Sequence, residues 1–387
     1  MPSPVLAEIL AFLSLAIWFV LFFLWGGFWR IWESAADSII LTSPKNWVRV
    51  TAVVPARNEA TSIGLALAAL AQQDYPGEFS ILMVVVHSDD GTVEVASRAS
   101  RDAGAAARIQ IVSAPTLASG WTGKLGALNS GIMTCTSPPE FFWFTDADVV
   151  HAPDTLRRLV SRALRDELAV TSLMVLLESR TFQERLLIPP FLYFFLMLYP
   201  PRWIADPQAR TAGAAGGCIL IERAALERIG GLSTLRSEII DDCSLARAVK
   251  RSGGRTWLGL TRTSRSLRRY AGFSEIRDMI ARTAFTQLRY SKLNLIGTLF
   301  SLVLAFLVPP ALTFAAHSKI WLPALLAWCL MTASFLPTVT FYGRSPVWAA
   351  FLPVSALFYA YATLLSAARY WLGRGGQWKG RSQVNRA

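Results

Sequence analysis

The stretch FFWFTDADVV, residues 141–150, places an acidic pair directly after an unbroken apolar run. Such an aromatic-rich run predicts a buried strand, and the pair Asp146 and Asp148 stands where that strand ends. Further along the chain, EIIDDCSLARAV carries a second pair, Asp241 and Asp242, at the start of a predicted helix. Two acidic pairs, one directly after a strand and one at the start of a helix, predict an active site with a metal and a base.

The chain around this stretch alternates between predicted strands and helices. The strands are Val48–Val54, Ser80–Val86, Ala107–Val112 and Phe141–Thr145, with the helices Thr61–Gln73 and Val93–Gly104 between them. This order predicts the α/β class, with a mostly parallel sheet flanked by helices. Ligands bind such sheets at the carboxyl ends of the strands, where a polar group is expected to gather. Its members are Arg57, Asn58, Glu59, Asp89, Asp90 and Asp146.

The composition indicates a membrane protein. Of the 387 residues, 53% are hydrophobic and 17% are charged, which is too apolar for an ordinary soluble protein. A helix needs about 20 apolar residues to cross a bilayer. The segments that meet this length are Val5–Trp29, Leu293–Ala316, Ile320–Tyr342 and Val347–Ala368. Because MPSPVLAE carries no positive charge, the first segment predicts an uncleaved anchor rather than a signal peptide.

These segments divide the chain into four parts. Residues 1–43 are the predicted N-terminal membrane anchor and linker, and residues 44–292 the catalytic α/β domain. Residues 293–372 form the C-terminal membrane segments, and residues 373–387 a basic tail. Within the domain, residues 186–201 (LLIPPFLYFFLMLYPP) are too short and proline-rich to span a bilayer, so they predict an interfacial helix. A buried core helix is the alternative.

The charge pattern predicts an orientation. Basic residues are retained on the cytoplasmic side, which places the catalytic domain in the cytoplasm at the cell inner membrane of a multi-pass protein. Three later spans would then carry the basic tail outside, so one segment is expected to be broken. The pair Pro309 and Pro310 makes Leu293–Ala316 that segment.

Charge and cysteine content exclude other classes. The net charge of +12 comes from spread-out residues without a nucleic-acid motif, so an anionic membrane is the expected partner and nucleic acid is not. The four cysteines show no C-x-x-C spacing, which predicts neither a zinc site nor a disulfide framework. His87, His151 and His317 show no metal spacing either, and no chemistry is assigned to them.

The two acidic pairs predict different chemistry. Mg²⁺ and Mn²⁺ prefer oxygen ligands shared between carboxylates and substrate phosphates, so Asp146 and Asp148 are candidate metal ligands. D-x-D alone is usually a turn, and the preceding strand is what favours the functional interpretation. Asp242 lies in the first turn of its helix, where the helix dipole favours the ionised form that a general base needs. A plain helix cap by Asp241 and Asp242 is the alternative.

Other polar residues carry two interpretations each. Asn58 and Glu59, after the first strand, are candidates for binding a ribose or base edge, or they cap the following helix. Lys124, in GWTGK at the start of a helix, is a candidate phosphate ligand or a solvated lysine.

Taken in order, the motifs VVPARNE, GWTGK followed by ALNSG, DAD, and IIDDCSLARAVKRSGG resemble the family 2 glycosyltransferases of the GT-A fold. RTAFTQLRYSKL and GQWKGR are similar to the hopanoid-associated glycosyltransferases of bacteria. The resemblance implies a nucleotide-sugar donor, expected to be a UDP-sugar, with Mg²⁺ or Mn²⁺ as cofactor. It also implies a lipid acceptor and transfer with inversion.

The resemblance also implies roles, position by position. The donor site would comprise Pro55, Arg57, Asn58, Glu59, Asp90, Lys124 and Asp146. Asp146 and Asp148 would hold the metal and the diphosphate. Asp242 would be the base, with Asp241 beside it. The residues near the diphosphate or the acceptor would be Gln287, Arg289 and Tyr290.

Two departures from the family pattern bear on function. Val85 and Val86 stand where the family often has paired aspartates that contact the nucleotide base. The Q-x-x-R-W of processive enzymes is replaced by the shorter QLRY, which favours a single transfer.

We therefore expect a membrane-bound enzyme that moves one sugar to a lipid acceptor, for which a hopanoid is a candidate. An exopolysaccharide or polyprenyl-phosphate sugar transferase is the alternative enzyme. A non-catalytic lipid-binding or scaffold protein of the same fold is the alternative of another class.

Overall fold

The computed structural model describes residues 4–31, 44–315, 320–375, 377–378 and 381–382. Within these ranges one large sheet has eight strands. They are β1 (Val50–Ala56), β2 (Phe79–Val85), β3 (Ile109–Ser113), β4 (Phe141–Thr145), β5 (Val149–Val150), β6 (Val170–Leu176), β7 (Cys218–Glu222) and β8 (Thr256–Ser266). A short hairpin follows, of β9 (Gln377–Trp378) and β10 (Arg381–Ser382).

Helices cover both faces of the sheet and form the apolar parts of the chain. Those of the first half are α1 (Pro4–Phe19), α2 (Ile63–Ala71), α3 (Thr92–Asp102), α4 (Gly123–Thr134), α5 (Thr155–Arg165), α6 (Phe182–Leu198) and α7 (Pro201–Ala205). Those of the second half are α8 (Arg223–Arg228), α9 (Asp241–Arg251), α10 (Phe273–Gln287), α11 (Lys292–Leu302), α12 (Val308–Ala315), α13 (Trp321–Phe341) and α14 (Leu352–Trp371).

The sheet has the order β3-β2-β1-β4-β7-β6-β8-β5. Its first four strands are parallel, as the alternation of strands and helices predicts. Beyond β4 the sheet is mixed, because β7 runs antiparallel to both β4 and β6, and β5 runs antiparallel to β8, while β6 and β8 are parallel. The α/β prediction is confirmed, with antiparallel pairs concentrated in the second half.

Buried apolar strands bring the polar loops to one edge. Every residue of β1 and β4 is buried, so these strands lie in the middle of the sheet with helices on both sides. Helix α4 crosses this sheet closely at Gly131, where an added Cβ would lie 2.6 Å from Val53 Cγ1. The close contact holds α4 against the sheet. At the start of α4, Lys124 lies 2.6 Å from Asp146, which follows β4.

Four helices in the described part of the chain are long and apolar enough to cross a membrane. They are Val5–Leu24, Lys292–Ala315, Trp321–Phe341 and Pro346–Trp371. The predicted linker at residues 32–43 and most of the basic tail at residues 373–387 lie outside the described residues.

The expected break at Pro309 and Pro310 is wrong, because the helix continues through both prolines. A proline cannot donate to the carbonyl four residues before it, which leaves the Ala305 oxygen without its usual partner. The indole Nε1–H of Trp18 donates to that oxygen at 2.6 Å. A π-helical turn (Val303–Leu307) precedes the prolines and takes up the local change in spacing. The unbroken helix Lys292–Ala315 therefore leaves three candidate spans after the catalytic domain, which is the number that would carry the basic tail to the side opposite that domain.

The segment at residues 186–201 is helical mainly as α6, with Pro189 and Pro190 inside it. Its buried face packs among the apolar helices, where the Tyr193 hydroxyl lies 2.6 Å from Ser334 Oγ of α13. The Leu186 carbonyl, deprived of a partner by Pro190, accepts a hydrogen bond from Ser355 Oγ of α14 at 2.8 Å. Helix α6 thus joins the sheet domain to the apolar helices.

Candidate active site

Asp146 and Asp148 occupy the turn that follows β4. The Asp148 carboxylate accepts a hydrogen bond from Ser266 Oγ at 3.1 Å, and its backbone oxygen accepts one from Leu267 N at 2.7 Å. Ser266 is the last residue of β8 and Leu267 follows it, so the D-x-D turn is held between the ends of β4 and β8. Burial, the neighbouring Asp146 and then Glu59 raise the pKa of Asp148 to about 6.

A buried histidine, His151, supports this turn through hydrogen bonds. The His151 ring lies 2.7 Å from Thr145 Oγ1 and 2.9 Å from Ser264 Oγ, so it joins the end of β4 to β8. Burial lowers its pKa to about 3, which keeps the imidazole neutral. His151 was assigned no chemistry from its spacing, and the structure gives it a supporting position next to Asp146.

Lys124 stands between the two acidic pairs. Its Nζ lies 2.6 Å from Asp146 Oδ1 and donates to the Gly216 carbonyl at 3.1 Å. Burial opposes the charge, but Asp146, Asp241 and Asp242 outweigh it, and the pKa of Lys124 is raised. The alternative of a solvated lysine is wrong, because its side chain is only 20% exposed and is held by these contacts.

Asp242 is held by backbone groups. Its Oδ2 accepts a hydrogen bond from Gly216 N at 2.9 Å, and its Oδ1 accepts one from Cys243 N at 2.7 Å. Burial and the neighbouring Asp241 raise the pKa of Asp242 to about 6, although Lys124 opposes the rise. The carboxylate is therefore a stronger base than an exposed aspartate.

Gly216 connects the two halves of the cleft. Its N–H holds Asp242 and its carbonyl accepts from Lys124, which in turn contacts Asp146. A Cβ at Gly216 would lie 3.0 Å from Lys124 Nζ and 3.2 Å from Asp242 Oδ2, so the backbone approaches both groups closely. The structure thus brings the acidic pairs together across one cleft.

The loop after β1 lies at the other end of this edge. Pro55 is part of β1, and Arg57, Asn58 and Glu59 follow it. Asn58 has a left-handed backbone (φ 50°), and its N–H donates to Ser88 Oγ at 3.0 Å. This conformation is uncommon for a residue with a side chain and is frequent in functional loops.

The loop after β2 is tied to the loop after β1. Asp90 Oδ2 accepts from Ala60 N at 3.0 Å, and Thr92 Oγ1 accepts from Glu59 N at 2.9 Å. The Glu59 carboxylate accepts from Ser62 Oγ at 2.9 Å, a contact between side chains just before α2, and its charge helps to raise the pKa of Asp148. Val85 is buried in the apolar core, where it presents no polar atom to a base.

The segment after α10 divides between two environments. The Gln287 amide contacts the Tyr199 hydroxyl, and Tyr199 belongs to the same buried apolar cluster as Cys243, the neighbour of Asp242. The Tyr290 ring instead stacks on Tyr370 of α14, with centroids 4.3 Å apart. Arg289 is exposed, and both Arg289 and Tyr290 have left-handed backbones (φ 54° and 56°). Of these three, Gln287 is thus linked through Tyr199 to the cluster beside Asp242.

The cleft suits a hard divalent cation. In the part of the chain that the structure describes, no three His, Cys, Asp or Glu side chains are arranged to hold a metal by themselves. Asp146 and Asp148 offer carboxylate oxygens. Burial and then the charge of Asp146 raise the pKa of Asp148, and a bound cation would favour its ionised form. Further ligands would come from a diphosphate and water, as is usual for Mg²⁺.

A sheet with parallel strands β3-β2-β1-β4, an antiparallel extension and acidic loops at the carboxyl ends defines the class of GT-A sugar transferases. The family model described as Glycosyltransferase like family 2 matches residues 48–284. The chain belongs to this family, and it is a nucleotide-sugar glycosyltransferase. The predicted family is thereby confirmed, and the non-catalytic scaffold is set aside.

Solved structures show the same fold. The mannosyltransferase PcManGT from Pyrobaculum calidifontis, solved with GDP-Man and Mn²⁺, has 20% identity and a TM-score of 0.59, over 92% of this chain and 99% of that one. S. aureus TarS has 16% identity over 74% of this chain and 54% of its own, with a TM-score of 0.41 that supports no further argument. No curated protein sequence matches the chain.

Proposed function

We propose that this enzyme transfers one sugar from a nucleotide-sugar donor to the hydroxyl group of a membrane lipid. The observation that carries the proposal is the continuity between the membrane helices and the base. Ala215 and Cys243, which flank the Gly216–Asp242 contact, belong to the same buried apolar cluster as Trp18 and Phe335 of the candidate spans. An acceptor with a large apolar body and a terminal hydroxyl fits a base in these surroundings.

The reaction follows from the position of Asp242. Its carboxylate takes the proton of the acceptor hydroxyl, and the alkoxide oxygen forms a bond to the anomeric carbon of the sugar. The bond from that carbon to the diphosphate oxygen breaks, and the electron pair leaves with the nucleoside diphosphate. Attack from the face opposite the leaving group inverts the anomeric centre, in accordance with the family resemblance.

The first acidic pair and Lys124 would serve the donor. Asp146 and Asp148 would hold Mg²⁺ or Mn²⁺, which neutralises charge on the departing diphosphate. Lys124, already 2.6 Å from Asp146, would contribute a second positive charge beside the phosphates. Mn²⁺ and GDP-Man are present in the PcManGT structure, which supports this use of the fold.

The nucleoside would lie against the loops after β1 and β2. The proposed donor residues there are Pro55, Arg57, Asn58, Glu59 and Asp90. We propose a UDP-sugar as donor. At the opposite end, Gln287, Arg289 and Tyr290 would face the diphosphate or the acceptor, with Gln287 held by the Tyr199 hydroxyl.

The proposed location is the cell inner membrane, with the catalytic domain in the cytoplasm. The apolar helices and the excess of basic residues support it. A hopanoid is the proposed lipid, on the similarity of RTAFTQLRYSKL and GQWKGR to the hopanoid-associated enzymes.

Mass spectrometry of lipid extracts tests the function. Cells that carry the wild-type gene should contain a lipid one hexose heavier than its precursor, and cells with Asp242→Asn should accumulate the precursor. A glycosylated polyprenyl phosphate, or a polymer in place of a single added sugar, would support the alternative enzyme and contradict this proposal.

A further inference from the structure

Tyr199 occupies a position in the cleft that the sequence did not reveal. It follows the last residue of α6 and is 8% exposed. Its hydroxyl lies 2.9 Å from Gln287 Oε1 and accepts a hydrogen bond from Gln287 Nε2 at 2.7 Å. The phenol therefore joins the end of α6 to the end of α10.

The Tyr199 side chain also packs against the backbone at Gly213. A Cβ added at Gly213 would lie 3.2 Å from three atoms of the Tyr199 side chain, so the backbone of this loop rests on the ring. The same loop continues to Gly216, whose N–H holds Asp242. One short segment thus sets the position of both the tyrosine and the base.

The loop at residues 213–216 brings Tyr199 towards the base. It packs on Tyr199 at Gly213, accepts a hydrogen bond from the Cys243 thiol at the Ala214 carbonyl (3.6 Å), and donates to Asp242 from Gly216 N (2.9 Å). The surroundings are otherwise apolar, because Tyr199 and Cys243 belong to the cluster that extends into the candidate spans. A hydroxyl and an amide so close to the base offer donors and acceptors to an alcohol that arrives from the apolar side.

We propose that Tyr199, oriented by Gln287, binds the acceptor hydroxyl and determines the preference for an alcohol on an apolar body. This role rests on the proposed function. Gln287 sets the direction of the phenol, and Gly213 sets the plane of its ring. The acceptor hydroxyl then meets the Tyr199 oxygen on one side and Asp242 on the other.

Another tyrosine of α6 provides a matched control. Tyr193 is also buried, and its hydroxyl contacts Ser334 Oγ at 2.6 Å, among the apolar helices. Removal of either phenol oxygen deletes hydrogen bonding to one buried partner, Gln287 for Tyr199 and Ser334 for Tyr193. Only Tyr199 lies next to the base, so the two variants separate acceptor binding from general stability.

The experiment compares Tyr199→Phe with Tyr193→Phe in purified enzyme, with a UDP-sugar as donor and phospholipid vesicles that contain a hydroxylated hopanoid as acceptor. Tyr199→Phe should raise the acceptor KM about fivefold to tenfold, the effect of one lost hydrogen bond, and by more than it changes the donor KM. Tyr193→Phe should lower the Tm without this rise. Gln287→Leu should reproduce the rise in acceptor KM.

An acceptor KM that is the same in Tyr199→Phe and wild type would overturn the proposal. So would an equal rise in Tyr193→Phe, which would show a general loss of stability. If Tyr199→Phe does not fold, Gln287→Leu decides by the same KM comparison. Failure of the proposed function has a different signature, because the wild-type enzyme would then transfer no sugar to any lipid in the vesicles.

Discussion

The two acidic pairs of the cleft contain the same residue type but are held in opposite ways. Asp146 and Asp148 are contacted by side chains, the ammonium of Lys124 and the hydroxyl of Ser266. Asp242 is contacted by two backbone N–H groups. Side-chain partners can rotate away when a cation enters, whereas peptide groups cannot. The first pair is therefore adaptable and suits an exchangeable metal, and the second is rigid and suits proton transfer.

The strongest test separates the two roles by substitution. Asp242→Asn should lower kcat about 10³-fold, because an amide cannot accept the proton. It should leave Mn²⁺-dependent nucleotide binding close to wild type. Asp148→Asn should weaken that binding. Steady-state transfer assays and titration calorimetry with UDP and Mn²⁺ measure both effects, and similar nucleotide affinities in the two variants would contradict the comparison.

The next test removes the cation between the pairs. Lys124→Met should lower kcat/KM about 10²-fold, because buried carboxylates lose their neutralising charge. Lys124 holds the pKa of Asp242 down, so its removal should raise that pKa further and move the acid limb of the rate profile to higher pH. Lys124→Arg, which retains the charge, is the control. An unchanged acid limb in Lys124→Met would show that the lysine does not act on the base.

The pH profile of the wild-type enzyme follows from the raised pKa of Asp242. A base works only when deprotonated, so kcat/KM should fall about tenfold per pH unit below a pKa of about 6. An exposed aspartate, with a pKa near 4, would give no loss in this range. Transfer rates test this when they are measured in overlapping buffers from about pH 4.5 to about pH 8, a range that extends to both sides of that pKa. A flat profile down to pH 5, about one unit lower, would contradict the assignment.

The smallest effect is expected from His151, whose hydrogen bonds support the turn that holds Asp146 and Asp148. His151→Phe removes hydrogen bonds to Thr145 and Ser264 and should lower the free energy of unfolding by about 2 kcal/mol. Activity should fall only a few-fold, through a looser D-x-D turn. The acid limb should not move, because the imidazole is already neutral above its pKa of about 3. Denaturant unfolding and the rate profile measure the two quantities, and a shifted limb would implicate His151 in proton transfer.

The parallel half of the fold was predictable because its signals are local. Strands β1, β2 and β4 are mainly apolar and end at polar turns, and β4 has the predicted bounds Phe141–Thr145. β8 (Thr256–Ser266) was not predicted, because TWLGLTRTSRS mixes apolar and basic residues and is stabilised by pairing with distant β6. Its position is set by tertiary contacts, which a local pattern does not contain.

The acidic members of the site were predictable for the same reason, and their connections were not. Each aspartate pair stands at the end of a regular element, and this places it at the cleft. The link through the Gly216 peptide joins parts of the chain far apart in sequence, and a glycine carries no chemical signature of such a role. Tyr199 was hidden in an apolar segment, where an aromatic residue usually means packing.

The hydrogen bond from Trp18 to the Ala305 carbonyl has a consequence for how the protein is assembled. Helix α1 is synthesised first and the proline-containing helix much later, yet the second takes from the first the donor that satisfies its backbone, a need that would be greatest if these helices cross a bilayer. The N-terminal helix is thus an integral partner of the other apolar helices. A soluble fragment made by removing it would leave the remaining apolar helices with a bare carbonyl at their centre.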